Sequence, residues 1–463
     1  MVARVAENVV IVSNRGPLSF SHDSDGNVVA QRGAGGVVSS LAPLVRDTGA
    51  SWMSAAISDA DREAAATGSV EADGFRFRML AVDPDAYRMA YDVVSNSTLW
   101  FLHHGLWDLA RRPTFDRRWR EAWDAYRAVN HTFARAVIDQ APTDAIVLVQ
   151  DYHFALVGTW LAQERPDLRA VHFTHIPFCD PAAIRILPDD VAGELLAGMA
   201  SHSSCGFHAT RWARNFEACC QELWGWTPAT FVSPLAPDHD DIEAVAESAA
   251  CVEQGDLLDQ ALAGRRLILR VDRIELSKNL LRGFLAYEEL LRTRPEWRGH
   301  VVFAAFVYPS REGLPEYLAY RQEVETLAAR INNQWGVPGW TPIMLDTSDN
   351  FPRSVSALCR YDLLLVNPVR DGLNLVAKEG PLLNERRGVL ALSREAGVWE
   401  ELGGVALEVN PFDVAGTADV LAAGLAMDEP DRATHAADLR KLAAARTPRD
   451  WFDDQLAAAR AAR

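Results

Sequence analysis

The feature that most constrains this chain is a repeated unit: a short apolar run of strand length, then a polar or turn-rich loop, then a stretch of helical periodicity. Val9–Val12, Ala145–Gln150, Ala170–Thr174, Arg266–Val271, Val301–Phe306, Tyr361–Val366, Val389–Leu392 and Val405–Val409 are such runs, with Ser51–Met53 and Ile343–Leu345 as shorter ones. Runs this apolar are covered on both faces, the property of strands in a parallel sheet. Strand, loop and helix in alternation build doubly wound α/β units. The chain has 463 residues, beyond the roughly 250–300 at which a single core stops growing. Two such units with a cleft between them are therefore expected. Ser233-Pro234-Leu235-Ala236-Pro237-Asp238, with its two prolines, marks the boundary. The domains expected are 1–235 and 236–446, followed by a terminal helix, 447–463, that packs back, the N-terminal domain being its expected support.

Charge and cysteines exclude several classes. A formal net charge of -17 offers nothing to replace the counterions of a nucleic acid, nor to attract an anionic membrane. An anionic small substrate would have to be met by local arginines and lysines. The six cysteines (179, 205, 219, 220, 251 and 359) form no CxxC pair, so scattered buried thiols in a reducing compartment are expected. No signal-peptide pattern precedes Val9, and no apolar run reaches the roughly 20 residues that cross a bilayer. A soluble cytoplasmic protein is the expectation.

Chemistry concentrates at the ends of the apolar runs. After Tyr361–Val366 come Pro368 and Asp371-Gly372, and then Asn374, placed to cap a helix through Leu375 and Glu379. Strand, polar loop and helix start make a corner that receives anions. An ordinary loop with a capping Asp remains the alternative on this stretch alone. After Arg266–Val271, Arg273 and Lys278 suit a diphosphate, one as a bidentate fork and the other as a point charge. Gly33, Gly35 and Gly36 open a helix over Val37–Leu44 that contains Pro43, without a GxGxxG or Walker spacing. Asp151 and His175 follow strands directly, where open α/β sheets bind ligands; a satisfied core residue is the alternative for each. Tyr91, Asn96, Trp100 and Trp107 are of the kind that line sugar sites, or a core. His103 and His104, adjacent on a helix, cannot share one metal. The acidic pairs Asp59/Asp61, Asp83/Asp85 and Asp238/Asp240 lie in turn-rich segments and read as solvated carboxylates. There is no Gly-x-Ser-x-Gly elbow.

Collected in order, Val12-Ser13-Asn14-Arg15, Gly35-Gly36, Tyr91 with Ser95-Asn96 and Trp100, Asp151-Tyr152-His153, His175-Ile176-Pro177-Phe178, Arg273 with Ser277-Lys278, Ser310-Arg311 and Arg370–Glu379 resemble the trehalose-6-phosphate synthase family of retaining glycosyltransferases, along essentially the whole chain. The resemblance implies two Rossmann-like domains facing across a cleft (GT-B type), no metal and no other cofactor. It implies nucleoside-diphosphate glucose and glucose 6-phosphate as substrates, GDP-glucose being the expected preference over UDP-glucose, and trehalose 6-phosphate as product. By the same resemblance Arg273 and Lys278 neutralise the departing diphosphate, aided by the helix at Asn374-Leu375 and the Gly35-Gly36 loop. Asp371 holds hydroxyls of the transferred glucose, and Glu379 the ribose. Arg15, Tyr91, Trp100 and Arg311 form the acceptor pocket, Asp151 orients an acceptor hydroxyl, and His175 hydrogen-bonds the donor sugar. The leaving phosphate itself takes the acceptor proton, so no glycosidase-like carboxylate pair is required. A homo-oligomer is compatible with the resemblance.

There are departures. The family's usual Leu-Asp-Tyr-Ser-Lys-Gly is Ile274–Asn279 here, and its Tyr after Lys-Glu is Gly380. Arg185–Pro188, Gly206-Phe207, Arg211-Trp212, Arg214–Phe216, Lys278-Asn279 and Val409–Asp413 look closer to a pseudoglycosyltransferase branch that couples a GDP-cyclitol to an aminocyclitol phosphate. Arg370–Glu379 keeps the pattern of the true synthases. A non-catalytic sugar-nucleotide-binding subunit is the remaining alternative, and such a protein would lose charged site residues; none of the named set is lost.

Overall fold

A computed structural model of the chain describes residues 8–32, 36–46, 48–66 and 68–461. It divides into two compact units, one made of residues 1–234 and 448–463, the other of 235–447.

The first unit is built on an eight-stranded sheet. In chain order its strands are β1 (Val9–Val12), β4 (Ser51–Ala55), β5 (Val70–Ala72), β6 (Phe75–Leu80), β7 (Ile146–Gln150), β8 (Arg169–Thr174), β9 (Ser204–Phe207) and β10 (Thr230–Val232); β2 (Leu18–His22) and β3 (Val28–Arg32) form a separate antiparallel hairpin. The order across the sheet is β10-β9-β8-β7-β1-β4-β6-β5, parallel except for β5. The chain winds from β1 toward β6 and then returns to the other side of β1 with β7, so the order reverses between β1 and β7. The helix Pro448–Ala461 belongs to this unit; its Trp451 is buried edge-on against Phe173.

The second unit repeats the plan with six parallel strands: β11 (Arg266–Ile274), β12 (Val301–Pro309), β13 (Ile343–Asp346), β14 (Leu363–Val366), β15 (Val389–Ser393) and β16 (Leu407–Val409). Their order is β13-β12-β11-β14-β15-β16, reversing between β11 and β14. Both units are thus doubly wound and Rossmann-like, the domain type of the GT-B class.

Several elements differ from the sequence reading. β11 runs on to Ile274, because Val271 to Ile274 pair with Phe306 to Pro309. Residues 405 and 406 lie outside β16. The acidic pairs are helix starts: Asp83 and Asp238 cap the helices Pro84–Arg88 and His239–Ala246. Asp61 is not solvated. It is buried and closes a capping box with Ser58, while accepting the Phe20 N–H at 2.8 Å. All six cysteines are buried, and none of them forms a disulfide.

Candidate active site

In each unit the strand order reverses once, between β1 and β7 and between β11 and β14, and the carboxyl ends of the strands at such a reversal are where an open α/β sheet takes a ligand. At the second unit's reversal charged side chains cluster. Lys278, in the turn Leu276–Lys278 after β11, places Nζ 2.7 Å from Asp371 Oδ2 and 3.6 Å from Asp272 Oδ1. Burial works against its ammonium, yet Asp371 and Asp272 outweigh that cost and hold its pKa above that of a free lysine. Beneath it Arg270, with no exposed surface, ion-pairs with Asp272 at 3.1 Å and donates to the Asn367 side chain and the Lys278 carbonyl. Asn279 turns the chain at φ +62° and donates to the carbonyls of Asn367 and Pro411, at 3.0 and 2.7 Å. The cation is therefore fixed from the backbone up.

Asp371 also accepts from Asn374 Nδ2 at 3.1 Å, and Asn374 Oδ1 accepts the Ala377 N–H at 3.2 Å. Asn374 thus caps the helix, as its position suggests. It does so from a left-handed conformation (φ +86°), two residues ahead of a helix that begins at Val376. Lys378 points away from this corner, buried against Glu401 and the Leu235 carbonyl. Glu379 lies in the first turn, where burial pushes its carboxyl up to about 7. At the end of β11, Arg273 Nη1 is 3.0 Å from Glu275 Oε1, and Arg311 Nη1 reaches the same oxygen at 3.2 Å.

The first unit brings together another set. Arg15 follows β1, Asp151 follows β7 and His175 follows β8, all at carboxyl ends of neighbouring strands. Asp151, at φ +71°, accepts the His175 N–H at 3.1 Å. His175 Nε2 is 2.9 Å from Gln150 Oε1 and its Nδ1 is 3.0 Å from His208 Nε2. With a carbonyl oxygen on one side, the proton lies on Nε2 and Nδ1 accepts from His208. Burial, reinforced by His208, drives the pKa well down, so the ring is neutral. Both of its nitrogens are thus engaged inside the protein.

Tyr91 lies on a π-helix, Met89–Leu99, that continues into the helix Trp100–His104. Its wider turn, of roughly four to five residues, puts Tyr91, Ser95-Asn96 and Trp100 near one face. Tyr91 stacks between Tyr87 and His153, with ring centroids 5.6 and 5.4 Å away. Tyr87 donates to Asn14 at 2.7 Å, and Tyr152 to Asn96 at 3.0 Å. The loops after β1 and β7 are thereby tied to this helix. Trp100 is buried, stacked on His104 at 4.1 Å. Of the glycine pair, Gly36 begins the helix Gly36–Val45; Gly35 lies outside the described residues.

Sequence reasoning missed Arg270, Asp272, Glu275, Gln150 and His208. Arg270 and Asp272 carried a signal, since charges interleaved with the apolar residues of a strand demand partners. Gln150 and His208 carried none.

The model of glycosyltransferase family 20 matches residues 7–461. The chain belongs to that family. Curated relatives include trehalose-6-phosphate synthase of Mycolicibacterium smegmatis, 30% identical over 97% of this chain and 92% of that one. A bifunctional trehalose-6-phosphate synthase/phosphatase of Thermoproteus tenax is 34% identical over 74% of this chain, which spans 48% of that longer protein. Among solved structures, an alpha,alpha-trehalose-phosphate synthase (UDP-forming) of Burkholderia xenovorans in complex with glucose 6-phosphate superposes with TM-score 0.84 at 26% identity, covering 98% of this chain and 100% of that one. The E. coli protein bound with UDP-2-fluoro glucose gives 0.85 at 26%, covering 97% and 98%. As a family 20 member the chain is a glycosyltransferase of the trehalose-6-phosphate synthase kind.

Proposed function

We propose that this family 20 enzyme transfers glucose, with retention, from a nucleoside-diphosphate glucose to glucose 6-phosphate, giving α,α-trehalose 6-phosphate. The observation that carries the reading is Lys278, a largely covered cation held by Asp371 and Asp272 at the strand-order reversal of the second unit. A diphosphate leaving group gathers charge as its bond to glucose breaks, and a preorganised cation stabilises that state more than the ground state. Arg273 supplies a second cation, and the helix beginning beside Asn374-Leu375 supplies N–H groups. Asp371, already oriented by Lys278 and Asn374, is assigned the glucose hydroxyls, and Glu379 the ribose. In the first unit, Arg15, Tyr91 and Trp100 are assigned to the acceptor, the buried Trp100 as backing for the wall. Asp151 is assigned an acceptor hydroxyl; His175, whose two ring nitrogens are taken up by Gln150 and His208, is assigned the support of the donor-side wall rather than the hydrogen bond to the sugar that the family resemblance implies. In the second unit, Arg311 is assigned the acceptor phosphate, and Gly35-Gly36 of the first unit the donor. The leaving phosphate takes the proton of the attacking hydroxyl.

Relatives named as UDP-forming, and a structural neighbour bound with a UDP-glucose analogue, support nucleotide-glucose as the donor class. GDP-glucose is the preference proposed within it. Incubation with glucose 6-phosphate and each of GDP-, UDP- and ADP-glucose tests the whole reading. Nucleoside diphosphate release with trehalose 6-phosphate as product is expected, fastest with GDP-glucose. No release with any donor overturns the reading, and turnover only with a GDP-cyclitol and an aminocyclitol phosphate would replace it by cyclitol coupling.

A further inference from the structure

Parallel pairing of β11 with β12 aligns Arg273 with Tyr308 and Ile274 with Pro309, so the segments that follow, Glu275 and Ser310-Arg311, emerge side by side. Glu275 turns inward and its side chain is 2% exposed. One of its oxygens, Oε1, takes three partners at once: Arg273 Nη1 at 3.0 Å, Arg311 Nη1 at 3.2 Å and Ser310 Oγ at 3.1 Å. Arg311 reaches it only because its backbone adopts φ +48°, a conformation that is uncommon for a residue with a side chain. Tyr317 secures that geometry, its hydroxyl accepting from Arg311 Nη1 at 2.5 Å and its ring lying under the guanidinium. Glu275 is also built into the turn that carries Lys278, whose N–H it accepts at 3.0 Å.

We infer that Glu275 is a positioning residue common to both substrates, a single carboxylate that orients the arginine proposed for the donor diphosphate and the arginine proposed for the acceptor phosphate. The inference rests on the functional reading above. Arg273, 44% exposed, and Arg311, 14% exposed, bring like charges to one oxygen of the buried Glu275, and that carboxylate offsets their repulsion. Removing that anion takes the shared acceptor from both forks, leaving Arg311 with Tyr317, so the loss should register on both substrates.

The test compares the wild type with E275Q, which keeps the shape and removes the charge, and E275D, which keeps the charge on a shorter arm. Rates are normalised to folded enzyme, measured by denaturation of each preparation. A charge-assisted pair accounts for roughly a tenfold effect or more, so E275Q should raise KM for the nucleotide-glucose and for glucose 6-phosphate together, each by about that factor, and lower kcat. E275D should recover part of both. An effect confined to one substrate overturns the inference, as does a loss of thermal stability with unchanged kcat and KM per folded molecule. A calorimetric arm with GDP, UDP and glucose 6-phosphate as separate probes needs no turnover. If the wild type binds these probes but transfers nothing, the functional reading fails while the role of Glu275 is still read from paired weakening in E275Q.

Discussion

At the scale of the residue, charge does most of the explaining. Lys278→Ala removes the cation proposed to meet the departing diphosphate, so kcat should fall on the order of 10²–10³-fold, with the KM for glucose 6-phosphate nearly unchanged, in a steady-state assay of nucleoside diphosphate release. Arg311→Ala should do the reverse, raising that KM by roughly tenfold or more with a smaller change in kcat. A swapped pattern would mean that donor and acceptor sides are exchanged. Glu379 gives a pH-dependent outcome. Its folded pKa, about 7, stands above the ordinary carboxylate value, so between those two values the folded state holds the extra proton. Stability from this group is therefore present at low pH and is lost as pH rises toward 7. Glu379→Gln should make the protein more heat-stable than wild type at pH 8 and equal to it near pH 5, while weakening nucleotide binding at pH 8, where the wild-type group is ionised. Melting curves across that range check the sign.

At the scale of the element, most strand ends were legible in the sequence because the apolar runs stop at turn residues, with β11 and β12 running three residues beyond theirs. Asp371, Lys278, Asp151 and His175 could be placed from that pattern alone. What could not be read was the side-chain traffic between elements. Nothing in the spacing of Glu275 and Arg311 says that β12 carries the second to the first, since that depends on register across two strands 35 residues apart in the chain. The π-helix was equally silent, its apolar pattern fitting neither period 3.6 nor period 2. Gly380 shows how a departure from a family pattern is accommodated. A Cβ there would stand 2.4 Å from Leu364 Cδ2 and 3.3 Å from the Tyr361 hydroxyl, so the space is already filled by neighbours. Gly380→Ala should cost about 1–3 kcal/mol in a chemical denaturation experiment, and Gly380→Tyr more.

At the scale of the whole molecule, the two units share a plan but not a continuous chain. The first is completed only by Pro448–Ala461, whose Gln455 accepts from Gln150 at 3.0 Å, and whose Trp451, Phe452 and Leu456 are buried. A chain ending at Thr447 should lose hydrogen-exchange protection along β7, β8 and β9, while β11 to β15 keep theirs. Equal loss in both sheets would mean that the helix supports more than its own unit. The same arrangement sets a timetable for synthesis. The segment that shields Phe173 and His175 leaves the ribosome after all of residues 235–447, a wait of roughly ten to forty seconds at ordinary elongation rates. Throughout that interval the nascent first unit exposes an apolar groove to the crowded cell, and its protection by a chaperone would have to last as long as the second unit takes to be made.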